Sequence, residues 1–117
     1  MDKQSSMIEV IRDREIALLK TSGTSLKDYL SPVGYWDLKA VLGEPTFTEE
    51  SGDGKIQKEW VVEHEGNIFT IYDWKTYDER YTVESLDRWN IGGRFYAGYF
   101  LEELVEMINA GKKAAEY

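Results

Sequence analysis

From Ile56 to Lys75 the sequence spells out most of an antiparallel hairpin, and this stretch limits the fold more than any other. Ile56, Trp60 and Val62 fall on one face of a period-two pattern, with Gln57, Glu59 and Glu63 mainly on the other. That pattern predicts a half-buried strand. His64-Glu65-Gly66-Asn67 reads as the hairpin connection. Ile68 to Lys75, rich in β-branched and aromatic residues, reads as the partner strand. A strand pair with one apolar face needs a cover. The period turns helical from about Tyr96 to Asn109, where Phe100, Leu101, Leu104, Val105 and Ile108 make an apolar stripe and Glu102, Glu103 and Glu106 a solvated face. Gly111 with Lys112-Lys113 fits a helix end.

The remaining segments complete the sheet and its cover. A short helix is predicted over Tyr35 to Leu42, with Tyr35, Leu38 and Leu42 on one face and Gly43 and Pro45 as stop signals. Leu26 to Leu30 reads as an extended edge, and Trp89-Asn90-Ile91 as a last short strand ending at Gly92-Gly93. Ile8 to Leu19 has two apolar clusters around Arg12-Asp13-Arg14-Glu15. It admits a helix, but β-branched residues in the first cluster favour two short strands around a charged turn. Thr48–Lys55 and Thr76–Arg88 read as loops, and the polar first six residues as a frayed end. The expected fold class is α+β: a small antiparallel sheet packed against one or two helices, with a C-terminal amphipathic helix.

Composition removes several functions. At 117 residues the expectation is a single domain spanning 1–117. A formal charge of −8 argues against general nucleic-acid binding, which needs a basic patch. With no cysteine there is no disulfide, thiolate zinc site or cysteine nucleophile, and one histidine excludes a multi-histidine metal site. No apolar run approaches about 18 residues, so no membrane-spanning helix is expected. The N-terminal residues lack the apolar stretch of a signal peptide, which makes the cytoplasm the expected location.

Some motifs yield to plainer readings. Glu49 to Gly54 resembles an acidic calcium loop, but Trp60 would fall where that loop needs its bidentate acid. A flexible loop is expected there, and no metal. His64 is expected to be a surface histidine. Asp73, Asp78, Glu79, Glu84 and Asp87 offer carboxylate pairs, but among 22 acids such pairs arise freely. No catalytic residue and no cofactor is assigned.

Three segments point to a ligand. In Ile71-Tyr72-Asp73-Trp74-Lys75, alternation separates Tyr72 and Trp74 from Ile71 and Asp73. With Ile71 inward, Tyr72 and Trp74 stack a base and Lys75 pairs with a phosphate. With the opposite facing, the two aromatics are core. In Trp89-Asn90-Ile91-Gly92-Gly93-Arg94 the glycines allow close backbone approach or an anion site of free N–H groups, with Arg94 as a forked donor and Asn90 reading a base edge. The same glycines also suit a plain strand-to-helix turn. Thr21-Ser22-Gly23-Thr24-Ser25 supplies hydroxyls and amides for a phosphate.

In order, GTSL (Gly23–Leu26), VLGEPT (Val41–Thr46), EW (Glu59-Trp60), TIYDWK (Thr70–Lys75) and WNIGG (Trp89–Gly93) resemble a group of small tailed-phage proteins. Asn90 stands where that group commonly has histidine, so no role of that histidine is carried over. The resemblance implies, by analogy, a counter-defence protein. Some small phage proteins of this kind are sponges that sequester nucleotide immune signals, often as homo-oligomers with pockets between subunits.

The leading expectation is therefore a non-enzymatic homo-oligomer that binds a cyclic oligonucleotide or cyclic ADP-ribose messenger. Thr24, Ser25, Lys75 and Arg94 would hold phosphates; Tyr72, Trp74 and Trp89 would stack the base; Asn90 would touch base or ribose. The alternative is an acidic, DNA-mimic-like inhibitor of a host enzyme, although the acids are interleaved with Lys and Arg. A small hydrolase using paired carboxylates ranks last.

Overall fold

The computed structural model describes residues 8–48, 58–73 and 83–115, with side chains to 113. The elements run β1 (Ile8–Val10), α1 (Arg14–Lys20), β2 (Ser25–Leu30), α2 (Tyr35–Leu42), β3 (Glu59–His64), β4 (Asn67–Tyr72), a 3₁₀ turn at Val83–Ser85, β5 (Trp89–Gly93) and α3 (Gly98–Ala115). The sheet has five strands in the order β1-β3-β4-β5-β2, antiparallel throughout. The α+β expectation holds.

The hairpin forms because Glu65 and Gly66 both take positive φ, 52° and 84°, as a two-residue primed turn requires. Alternation then divides the sheet. Trp60, Val62, Phe69, Ile71, Trp89 and Ile91 face one side, where Tyr35, Leu38 and Leu42 of α2 and Phe100, Leu104 and Ile108 of α3 close the main core. On the other side, Val61 and Ile68 pack against Ala17 of α1, with Ile11 and Phe47. Two indoles tie α2 down. Trp89 Nε1 donates to the Val33 carbonyl at 2.9 Å just before the helix, and Trp60 Nε1 donates to the Gly43 carbonyl at 2.9 Å just after it.

The N-terminal segment departs from expectation. Only Ile8–Val10 is a strand; Arg14–Lys20 is helical. The Asp13 carboxylate accepts from the Ile16 N–H at 3.0 Å, and Glu15 and Lys20 sit at the dipole-favoured ends. The charged stretch taken for a turn is thus a helix start. His64 is also corrected: it is buried, with Nε2 3.3 Å from Glu103 Oε1 and its ring beside Phe69 and Phe100. The turn takes only Glu65 and Gly66, which leaves His64 on the inward parity of Trp60 and Val62. Gly111 does not end the last helix, which runs on to Ala115. β4 ends at Tyr72, short of the expected Lys75.

The Leu26–Leu30 edge is confirmed as β2, and it is protected. A bulge interrupts its register between Leu26 and Asp28, and the Asp28 carboxylate accepts from the Tyr29 N–H at 2.8 Å.

Candidate functional site

α1 covers the β1–β3 end of the second sheet face. At the β2 end, directly opposed residues form a row across four strands: Glu59 (β3), Tyr72 (β4), Asn90 (β5) and Tyr29 (β2). Neighbours in such a row lie within side-chain reach. The Asn90 amide beside the Tyr72 hydroxyl favours the phenolate form. Burial nevertheless dominates and raises the Tyr72 pKa, helped by Glu59 and Tyr29. At the far end the Arg88 guanidinium carbon sits 4.1 Å from the Tyr29 ring centroid, a cation–π contact. Beside this row is an open-sided depression of about 600 Å³ lined by Leu26, Tyr29, Tyr72, Leu86, Arg88 and Asn90. That volume lies in the usual range of small-molecule sites.

Glu59 stands at the other end of the row, opposite Tyr72 and outside the residues that line the depression. Burial pushes its carboxyl up to about 7, and the charge of Asp73 adds to the effect. Asp73 is itself buried at the end of the hairpin, where its carboxylate accepts from the Lys58 N–H at 2.8 Å.

The glycines of β5 shape both sides of the sheet. A Cβ on Gly92 would lie 2.5 Å from Thr70 Oγ1 and 3.4 Å from Tyr72 Cε1; one on Gly93 would lie 2.8 Å from Phe69 Cδ1. They admit side chains from β4. Neither has positive φ, and both pair with β2 and β4, five or more residues before α3 begins. The expected anion site of free N–H groups is therefore not formed there.

The expected ligand residues separate into groups. Tyr72 and Asn90 come together in the row. Trp89 is corrected: its indole is fully enclosed, 5.7 Å from Trp60 and 6.4 Å from Tyr35, with no face open to a base. Its parity with Ile91 puts it in the core. Thr24, Ser25 and Arg94 gather at the opposite end of β2 and β5. Four residues of strand, roughly 13 Å, separate Arg94 from Asn90. Arg94 Nη1 donates to the Lys20 carbonyl at 2.9 Å and also to the Ser22 carbonyl, while Thr24 Oγ1 donates to the Thr21 carbonyl at 2.8 Å. These groups hold the α1–β2 loop in place. Trp74 and Lys75 lie outside the described residues. Sequence reasoning missed Tyr29, Arg88 and Glu59.

Among the described residues no group of three His, Cys, Asp or Glu side chains could hold a metal ion, and no helix is long and apolar enough to cross a membrane. No family model, curated protein or solved structure matches the chain.

Proposed function

We propose that the protein captures a small nucleotide on the open sheet face and does not turn it over. One observation carries this reading: Tyr29, Asn90 and Tyr72 stand in one cross-strand row beside a depression of about 600 Å³, with Arg88 held at its end. Aromatic faces stack a base, an amide reads its edge or the ribose, and a guanidinium pairs with phosphate. In a chain of charge −8, a cation fixed at a pocket rim is where an anion binds most favourably. The motif resemblance to small tailed-phage proteins supports the same reading, with a nucleotide-derived immune messenger, cyclic oligonucleotide or cyclic ADP-ribose, sequestered in the host cytoplasm. Phe95, Tyr96 and Tyr99 are 57%, 74% and 70% exposed, which supports association between copies.

Native mass spectrometry with cyclic dinucleotides, cyclic trinucleotides and cyclic ADP-ribose tests this. The expected result is an intact ligand at fixed stoichiometry. No bound ligand, or release of a cleaved product, overturns it.

A second reading rests on a different groove. Asp28, Glu102 and Glu106 flank Leu101 and Val105 between β2 and α3. An acidic inhibitor would use that groove against a basic, apolar segment of a host enzyme, with binding that weakens steeply in salt.

A further inference from the structure

We infer that Glu59 sets the base preference of the open-face site, and that the preferred base is guanine. The inference rests on the nucleotide reading above and gives it a direction and a specificity.

The row has unlike ends. Tyr29 at one end carries Arg88 against its ring. Glu59 at the other lies directly opposite Tyr72, with the Asp73 charge nearby. A phosphate is attracted to the first end and repelled from the second. A bound nucleotide therefore lies across the strands, phosphate at Arg88 and base edge at Glu59. Four strands at about 4.8 Å spacing give roughly 14 Å from end to end, close to the length of a nucleotide.

The chemistry of Glu59 selects the base. Among the described residues, burial and the like charge of Asp73 act on its carboxylate, and no side-chain donor or cation does. Lys58, its neighbour, donates Nζ to the Thr48 carbonyl at 2.8 Å instead. Above its pKa of about 7 the Glu59 carboxylate is ionised, with two acceptor oxygens and no donor. Guanine presents two adjacent donors on one edge, N1–H and the 2-amino group, and pairs with both oxygens at once. The corresponding edges of adenine and cytosine each present a donor beside an acceptor, which leaves one carboxylate oxygen facing a lone pair. The partial burial that disfavours the bare carboxylate also strengthens a paired one. Tyr72, next in the row, offers its ring to the base, and Asn90 faces the ribose.

The test is calorimetric titration at pH 8, above the Glu59 pKa, of the wild-type protein and Glu59→Gln with GMP against AMP, and with cyclic di-GMP against cyclic di-AMP. The expected result is a preference for the guanine member of at least tenfold in the wild type. In Glu59→Gln it falls below threefold or reverses, because the amide replaces one acceptor by a donor, which loses a hydrogen bond to guanine and matches the donor-acceptor edge of adenine. Equal affinities in the wild type, or a preference that survives in Glu59→Gln, overturn the inference and leave the nucleotide reading standing. Failure of all four probes to bind overturns the inference, and the nucleotide reading falls with it only where cyclic trinucleotides and cyclic ADP-ribose fail to bind as well. Urea unfolding of Glu59→Gln, expected to match or exceed the wild type at pH 7, confirms that the comparison is between folded proteins.

Discussion

The indoles of Trp60 and Trp89 meet edge to face, 5.7 Å between centroids at 74°, and their N–H groups hold opposite ends of α2. One contact between two strands thereby fixes a helix at both termini. Replacing Trp89 by Phe leaves the buried Val33 carbonyl without its donor and opens space beside Tyr35. A loss of about 2–4 kcal/mol is expected from the bond and the cavity together. Urea midpoints measure it; a change under about 0.5 kcal/mol would show that α2 is held by other contacts.

Phe69 lies flat on Phe100, 4.7 Å away and 1° from parallel, and occupies the space a Cβ on Gly93 would need. The ring has little room to retreat in a close-packed core. Gly93→Ala should cost about 1–3 kcal/mol, and less in a Phe69→Leu background. Equal costs in the two backgrounds would place the strain elsewhere.

Thr46 is a buried hydroxyl that ties the residue following β1 to β3. Its Oγ1 donates to the Ile11 carbonyl at 2.8 Å and accepts from the Val61 N–H at 3.1 Å. Thr46→Val keeps the shape but strands both backbone groups. The expected cost is about 1–3 kcal/mol, read from the same midpoints, with Thr46→Ser recovering most of it.

Glu59 imposes a pH dependence of definite sign. Its folded pKa is about 7, above the unfolded value of 4.5, so the native state binds this proton more tightly. Stability from this group is full below pH 4.5 and is lost as pH rises to about 7. A shift of that size corresponds to roughly 3 kcal/mol. Glu59→Gln removes the loss. It should be more stable than wild type at pH 8, with the gap closing by pH 5. A gap of constant size across that range would mean that Glu59 does not titrate there.

The parts of the fold written in local pattern were legible. The helix expected over Tyr35 to Leu42 matches α2, because its apolar face and the Gly43 stop agree. Glu65-Gly66 fixed the hairpin in the same local way. Asp13 was misread because a carboxylate suits a turn and a helix N-cap equally until the backbone shows which N–H it meets. Strand parity was enough to exclude Trp89 from a ligand site, since any strand that buries Ile91 buries Trp89 as well.

The candidate site was half legible. Alternation singled out Tyr72, and the glycine motif drew attention to Asn90. Tyr29, Arg88 and Glu59 join them only through the pairing of β3, β4, β5 and β2, which brings together residues far apart in sequence. Arg94 was favoured because it follows the Trp89–Gly93 strand directly, yet an extended strand carries it away from Asn90 with every residue. Much of the motif set serves the fold. Gly23 and Gly43 take φ of 80°, and Thr46 and Asp73 bind backbone.

The Tyr29–Asn90–Tyr72 row with Arg88 is the proposed ligand surface. Titration of ¹⁵N-labelled protein with cyclic di-GMP, followed by amide chemical shifts, tests it most directly. Saturable shifts are expected, centred on Tyr29, Tyr72, Arg88 and Asn90, with Thr24, Ser25 and Arg94 unmoved. Saturable shifts centred on Thr24, Ser25 and Arg94, or no saturable shift at all, would contradict it.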